Sequence, residues 1–374
     1  MVQSNFRKDD FYVYSDQSHF KNISKTFQKK GQNVLHDISF GVKKGSLTAL
    51  LGPSGSGKTT LLRILAGLET ATSGNASIDG HAIESVAPQN RGIGFVFQNY
   101  ALFRYLNVYQ NIAFGLKTQH QPANEIKKRV TELLKLTGLT DLENRYPNQL
   151  SGGQKQRVAF ARAIAPHPKV LFLDEPFAAL DKQIRQELRI WLKRLIHQLG
   201  ITSIFVTHDH EEAIETADEI VVMNEGYVKQ IGTPNEIYNQ PNCQFVAEFI
   251  GRSSVLSSPN LAGFMLPEKP FVTQIRPERV QVLKKDESTT TPGTLESATV
   301  KDVVFRGATT TVTLDLHGQS LLANRSSLKP GLVIGEHVSV LIEQLVLFKQ
   351  DTSTLKKNQS PATTAAPLKS YAIN

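Results

Sequence analysis

The sequence predicts an α/β domain built on a largely parallel sheet, followed by a smaller all-β domain. Three observations carry this expectation. Residues 46–51 are a short apolar run that ends in a glycine-rich stretch and opens into a helical pattern at Leu61, Leu62, Ile64, Leu65 and Leu68. Strand-like and helical segments then alternate as far as Val206. After Gly251 the helical period disappears and short alternating runs replace it.

The elements follow in order. From Phe20 to Phe40, strand-like pieces are broken by Lys29, Lys30 and Gly31. Residues 93–97 read as a strand ending at Gln98. Residues 102 to about 165 read as mostly helical, with breaks at Pro122 and Pro147. Residues 170–173 are four apolar residues running into Asp174-Glu175-Pro176, which is the pattern of a buried strand. Residues 184–199 form a helix stopped by Gly200, and residues 201–206 a strand ending at Thr207-His208-Asp209. Ser253, Ser254, Ser257, Ser258 and Pro259 suggest a linker. Beyond it, residues 279–283, 298–304, 309–316, 337–342 and 345–348 read as strands of a small barrel or sandwich, OB-like in type. The expected organisation is an N-terminal extension (1–17), the α/β domain (18–250) with a helical subdomain at about 100–165, a linker (251–270), the β domain (271–350) and a disordered tail (351–374) rich in Ser, Thr, Lys and Ala.

Composition narrows the function classes. The chain has 374 residues, 40% hydrophobic and 20% charged, as in globular proteins. No stretch approaches the ~18 apolar residues needed to cross a bilayer. Any work at a membrane therefore needs other chains to span it. The net charge of +8 is spread out, with no basic stripe interleaved with aromatics, so nucleic acid is not expected as a partner. The single cysteine, Cys243, excludes an intramolecular disulfide and a cysteine zinc cluster. The first twenty residues contain Asp9, Asp10 and Asp16 and no apolar core, which argues against a signal or transit peptide.

Gly52-Pro53-Ser54-Gly55-Ser56-Gly57-Lys58-Thr59 matches G-x-x-x-x-G-K-[ST], and Thr60 follows it. The glycines let backbone N–H groups turn onto phosphate oxygens, where a Cβ would crowd the approach. The helix that follows aims its positive end at the same anion. Lys58 is expected on the β- and γ-phosphates, and Thr59 on Mg²⁺. This pattern implies a nucleoside triphosphatase of the P-loop fold. Asp174, at a strand end, is the second expected Mg²⁺ ligand. Glu175 is the candidate general base toward water. Paired acids at a strand end can simply cap the next helix, but beside a phosphate loop the catalytic reading is favoured.

Leu150-Ser151-Gly152-Gly153-Gln154 narrows the family, because it resembles the signature of ABC ATPases. It repeats the physical logic of the first motif: two glycines, a hydroxyl, and a helix start from about Gln154. The resemblance implies that Ser151, Gly152, Gly153 and Gln154 of one copy close over ATP held by another, in a head-to-tail dimer. By the same resemblance, Gln98 contacts Mg²⁺ and the attacking water in a loop that also touches the membrane subunit. Ala179-Leu180-Asp181 crosses the dimer interface, His208 contacts the γ-phosphate, and Phe27 stacks on adenine.

Several stretches look like the ATP-binding subunit of sulfate/thiosulfate importers, bacterial or plastid-encoded. They are the run from Phe95 to Arg104, the run from Asn111 to Leu116, Arg145-Tyr146-Pro147, and Trp191-Leu192. Ala178 stands where the family often has Gly, and His210 where it often has Gln. The implied cofactors are ATP and Mg²⁺. The implied partners are a second copy, two transmembrane permease subunits and, indirectly, an external sulfate-binding protein. The implied location is peripheral on the ATP-containing face of a membrane, either the bacterial inner membrane or the chloroplast inner envelope. Importers of polyamine, sugar or iron are alternatives. A soluble ABC protein outside transport would carry a second ATPase domain or a long coiled-coil insert, and neither is in the sequence.

Overall fold

The chain opens with two long antiparallel strands, β1 (Gln17–Phe27) and β2 (Gln32–Lys43), whose Phe20, Ile23, Leu35, Ile38 and Phe40 are buried. The computed structural model describes residues 17–27, 31–178, 181–268, 270–291, 293–349 and 352–359. β3 (Leu47–Leu51) is buried along its whole length, as a strand covered on both faces must be. It leads through the glycine loop into α1 (Lys58–Ala66). Next come β4 (Ser73–Ile78), β5 (His81–Ala82) and β6 (Ile93–Val96). Three helices follow: α2 (Val108–Thr118), α3 (Ala123–Thr137) and α4 (Gly152–Ile164). The alternation then resumes with β7 (Val170–Asp174), α5 (Lys182–Leu199), β8 (Thr202–Thr207), α6 (His210–Thr216), β9 (Glu219–Asn224) and β10 (Tyr227–Gly232).

Local rules account for the helices. α3 buries Ile126, Val130, Leu133, Leu134 and Thr137 along one stripe and stops at Gly138, which has φ 67°. α5 buries Leu188, Leu192, Leu195 and Ile196 at helical spacing and stops at Gly200. α2 starts from a reciprocal cap between Asn107 and Gln110.

The expected parallel sheet is present, with strand order β10-β9-β3-β8-β7-β6, and only the β9–β10 edge pair is antiparallel. A second sheet, β2-β1-β4-β5, is antiparallel and was not expected from sequence. One core joins the two: Leu61, Leu62 and Leu65 of α1 cluster with Phe20 and Phe40 from one sheet and Phe172 and Val206 from the other.

The chain divides into two units between Ile237 and Tyr238, earlier than the expected boundary at residue 250. α7 (Pro234–Asn239) runs across the division, and α8 (Gln244–Phe249) belongs to the second unit. Ala247 of α8 packs with Val346 and Phe348, and its carbonyl accepts a hydrogen bond from Gln274 Nε2 at 2.8 Å. The rest of this unit is β11 (Ser254–Ser257), β12 (Val272–Ile275), β13 (Val280–Leu283), β14 (Glu296–Phe305), β15 (Thr309–Leu316), β16 (Gln319–Ser326), β17 (His337–Ile342), β18 (Gln344–Lys349) and β19 (Thr352–Lys357). They form two antiparallel sheets, β11-β12-β18-β19 and β13-β17-β14-β15-β16. A single core between them includes Leu256, Ile275, Val300, Leu314 and Val340, as an OB-like unit requires.

Two expectations are corrected here. The segment expected as a linker (251–270) contains β11, with Leu256 buried and paired to Thr273. The segment expected as a disordered tail (351–374) contains β19, in which Leu355 pairs with Val346. In both cases a polar run gains its order from backbone bonds to a distant strand, which composition does not record. Residues 1–16 of the expected extension and 360–374 of the tail lie outside the described residues.

Within the β unit, Arg325 is buried and grips Glu287 with two hydrogen bonds of 2.6 and 2.8 Å. This holds the Glu287 carboxyl down at about 2, against an ordinary 4.5. As pH falls, the unfolded chain therefore takes up this proton first. The stability contributed is complete above about pH 4.5 and is lost as pH falls toward 2. Thermal unfolding of the full chain should lose stability over that window more steeply in wild type than in Glu287→Gln. Identical slopes would show that the pair contributes nothing.

Candidate functional site

Strands β3, β8, β7 and β6 are neighbours in the parallel sheet. Parallel strands end on the same edge, so their C-terminal ends bring together four loops. These begin at Gly52, His208, Glu175 and, one residue beyond β6, the Phe97-Gln98 pair. This edge is where open α/β sheets bind ligands.

The first loop needs its glycines for different reasons. A Cβ on Gly52 would lie 2.1 Å from Met223 O. Gly57 has φ 97° and is the N-cap of α1, with no side chain capping the helix. The uncapped N–H groups of this end suit a phosphate. Lys58 is 5% exposed, and its ammonium donates to Gly52 O (2.9 Å), Pro53 O (2.8 Å) and Ser56 Oγ (3.2 Å). Burial lowers its pKa, while Glu175 and Asp174 oppose that change. Ser54 and Gly55 are exposed at the loop tip, and Thr60 lies half-buried in the first turn of α1.

Thr59 Oγ1 donates to Asp174 Oδ1 at 3.3 Å, which joins the two expected metal-binding groups. Burial raises the Asp174 pKa, the Thr59 bond lowers it, and the Glu175 charge adds to the rise. No cluster of three or more His, Cys, Asp or Glu side chains suited to a metal occurs among the described residues. A hydroxyl and a carboxylate are too few for an all-protein cage. They do suit Mg²⁺, which keeps water and phosphate oxygens as its other ligands.

Glu175 is where three strand ends meet. Gln98 Nε2 donates to its Oε2 at 2.9 Å, and His208 Nδ1 lies 3.4 Å from its Oε1. Its backbone has φ 45°, and its N–H continues the ladder to Val206 O at 3.2 Å. A left-handed, non-glycine residue is strained by roughly 1–3 kcal/mol, and such residues concentrate at functional sites. Gln98 was expected toward Mg²⁺, but in this structure its amide N–H is turned to Glu175.

The remaining expected residues lie elsewhere. Ser151 caps α4: its Oγ accepts from Gln154 N at 3.3 Å, and Gln154 Oε1 accepts from Ser151 N at 2.9 Å. Gly153 meets α5, since a Cβ there would lie 3.1 Å from Ile184 Cγ2. Gly152 is the first residue of the helix. Asp181 caps α5 through Ile184 N at 3.0 Å, while Ala179 and Leu180 lie outside the described residues. Among the described residues, no hydrogen bond or ion pair joins Ser151, Gly152, Gly153, Gln154 or Asp181 to the first loop. Phe27 ends β1, half-open to solvent, with Lys25 Nζ 4.8 Å from its ring centre.

Sequence reasoning missed a clamp. Tyr100 and Ala101, just after Gln98, both have positive φ (62° and 45°). Arg162 of α4 donates to their carbonyls at 2.9 and 2.7 Å and stacks over Phe103. The helix capped by Ser151 therefore also holds the loop that carries Gln98. The sequence marked Arg162 only as one of two arginines, with Arg157, in the helix behind the Ser151 motif.

A family profile described as ABC transporter matches residues 35–178, and one described as TOBE domain matches residues 274–348. The sulfate/thiosulfate import ATP-binding protein CysA of Pseudomonas putida is 47% identical over 325 residues, covering 84% of this chain and 94% of that protein. The chain belongs to the family of ABC import ATP-binding proteins. The proteins of the same name from Mesorhizobium japonicum and Mesostigma viride are 55% and 48% identical, over 63% and 74% of this chain and 68% and 82% of their own lengths. Among solved structures, cbiO1 from Clostridium perfringens, part of the ABC transporter complex cbiONQ, matches with a TM-score of 0.56 and 36% identity. The match covers 59% of this chain and 90% of that one. A dimeric ATP-binding cassette in a post-hydrolysis state, bound to ADP and Pi, matches with a TM-score of 0.52 and 33% identity, over 58% of this chain and 98% of that one. This family member is an ABC ATPase of the P-loop fold with an OB-like C-terminal unit. No helix among its described residues is long and apolar enough to cross a membrane.

Proposed function

We propose that this chain is the ATP-hydrolysing subunit that energises a sulfate/thiosulfate ABC importer. The observation that carries the ATPase part is the convergence of Gln98 and His208 on Glu175, beside a phosphate loop. The substrate follows from the relatives, all named for sulfate/thiosulfate import. Gly52–Thr59 receives the triphosphate, and Lys58 exchanges its carbonyl partners for β- and γ-phosphate oxygens. Thr59 and Asp174, with Gln98, would hold Mg²⁺, whose charge would offset that of the triphosphate. Glu175 takes the proton of the attacking water, which Gln98 and His208 orient, and ADP and phosphate leave. Phe27 stacks on adenine.

The second copy completes the site. Its Ser151, Gly152, Gly153 and Gln154 close over the triphosphate from the other side, and Asp181 crosses at the interface. ATP then binds the closed pair more tightly than the open one, so binding shifts the equilibrium to closure. Two transmembrane permease subunits convert that closure into a change of access, and an external binding protein delivers the anion to them. The chain works peripherally on the ATP-containing face, at the bacterial inner membrane or the chloroplast inner envelope. Exposed Phe97, Phe103, Tyr105 and Phe114, clustered around the Gln98 loop and α2, are the surface offered to a permease.

The test is uptake. In cells deleted for their own sulfate importer ATPase, this chain, supplied with its permease partners, should restore uptake of labelled sulfate, and Glu175→Gln should not. Restored uptake of a polyamine, sugar or iron without sulfate would overturn the substrate assignment and leave the ATPase assignment intact.

A further inference from the structure

Thr207 and Asp209 flank His208, and both are tied into a polar cluster around the buried Glu212. The Thr207 hydroxyl, 2% exposed, donates to Glu212 Oε2 at 2.6 Å and accepts the Asp209 N–H at 3.0 Å. Asp209 Oδ1 accepts from the N–H groups of Glu211 (2.8 Å) and Glu212 (3.3 Å), and so starts α6. Glu212 itself is 5% exposed, a rare place for a carboxylate. Its second oxygen faces two guanidinium groups of α5: Arg189 Nη2 at 3.6 Å and Arg185 Nε at 3.9 Å. The same arginines reach Asp209 Oδ2 at 3.9 and 3.8 Å, and Arg189 also holds Glu215 at 3.0 Å.

Asp209 already caps α6, so helix initiation does not require a buried Glu212. A buried carboxylate is unfavourable unless its partners compensate fully, and here every partner named lies on an element next to His208. The His208 ring is 56% exposed, and its Nδ1 lies 3.4 Å from Glu175 Oε1. The ring is therefore located chiefly by its own backbone. That backbone is held on one side by Thr207 and on the other by Asp209. Both are braced against α5, the helix that Asp181 begins.

We propose that Glu212, acting through the Thr207 hydroxyl and braced by Arg189, is a positioning residue for His208 during hydrolysis. This rests on the reading of His208 as a γ-phosphate contact. Glu212 does not touch nucleotide. It fixes where the imidazole stands, and a displacement of about 1 Å at such a group can slow chemistry about 100-fold.

The experiment uses steady-state hydrolysis by the full chain. Thr207→Val keeps the shape and removes the hydroxyl. It should lower kcat about 10–100-fold while KM for ATP stays within about twofold. Thr207→Ser should return kcat to within about threefold of wild type, and Glu212→Met, which removes the acceptor of the Thr207 hydroxyl, should fall by a factor similar to Thr207→Val. The deciding comparison is with His208→Ala. Combined with Thr207→Val, it should hydrolyse no more slowly than His208→Ala alone, because both changes act through one side chain. Losses that multiply would overturn the proposal. So would a Thr207→Val enzyme at the wild-type rate when His208→Ala is slow. If His208→Ala itself runs at the wild-type rate, the underlying reading of His208 fails, and the two failures are told apart by that single variant.

Discussion

Glu175→Gln is expected to slow ATP hydrolysis about 10²–10⁴-fold, the range associated with loss of a general base, while ATP remains bound. The side chain keeps its shape, and its amide oxygen can still accept from Gln98 Nε2, now 2.9 Å from the carboxylate. It can no longer take a proton from water. The left-handed backbone at this residue (φ 45°) is equally strained for either side chain, so the substitution should leave the fold alone. With hydrolysis blocked and binding intact, the closed, ATP-bound pair should accumulate. Phosphate release and size-exclusion chromatography in ATP measure the two effects. A variant hydrolysing at the wild-type rate would remove Glu175 from its assigned role. A slow variant that stays monomeric in ATP would remove the dimer.

Lys58→Met is expected to weaken ATP binding about 10- to 150-fold for each charge-assisted bond lost, at ~1.5–3 kcal/mol per bond. Burial lowers the Lys58 pKa, but Glu175 and Asp174 favour its charged form. An ammonium surrounded in this way is ready to meet a polyphosphate. Without nucleotide it is satisfied by Gly52 O, Pro53 O and Ser56 Oγ, so it also shapes the loop. Methionine would leave those two carbonyls without this donor. Calorimetric ATP titration measures the first effect, and thermal unfolding without nucleotide measures the second. Affinity equal to wild type would show that Lys58 is only a loop brace.

Parts of the site differ in how legible they were. Gly52, Gly57 and Lys58 could be read directly, because a tight turn before a helix needs contiguous residues of particular types. Asp174 and Glu175 followed from a buried apolar run ending in acids. Gln98 and His208 were different: a lone Gln or His after a strand means little, and only family resemblance singled them out. The boundary error at residue 250 has the same origin. α8 looks like a continuation of the first domain until Ala247 is found packed on Val346 and Phe348, some hundred residues later.

From its residues alone, the chain determined which segments are strands, loops and helices around the phosphate site, because periodicity, glycine and burial are local properties. It also determined that a phosphate-binding loop and an acid pair exist. Only the tertiary structure decided that β3, β8, β7 and β6 lie side by side, so that Gln98 and His208 both reach Glu175. It alone revealed the hold of Arg162 on the loop after Gln98, and the burial of Glu212 behind His208. Strand order and buried ion clusters arise from pairings between residues distant in the chain. No local pattern encodes which partner each will find.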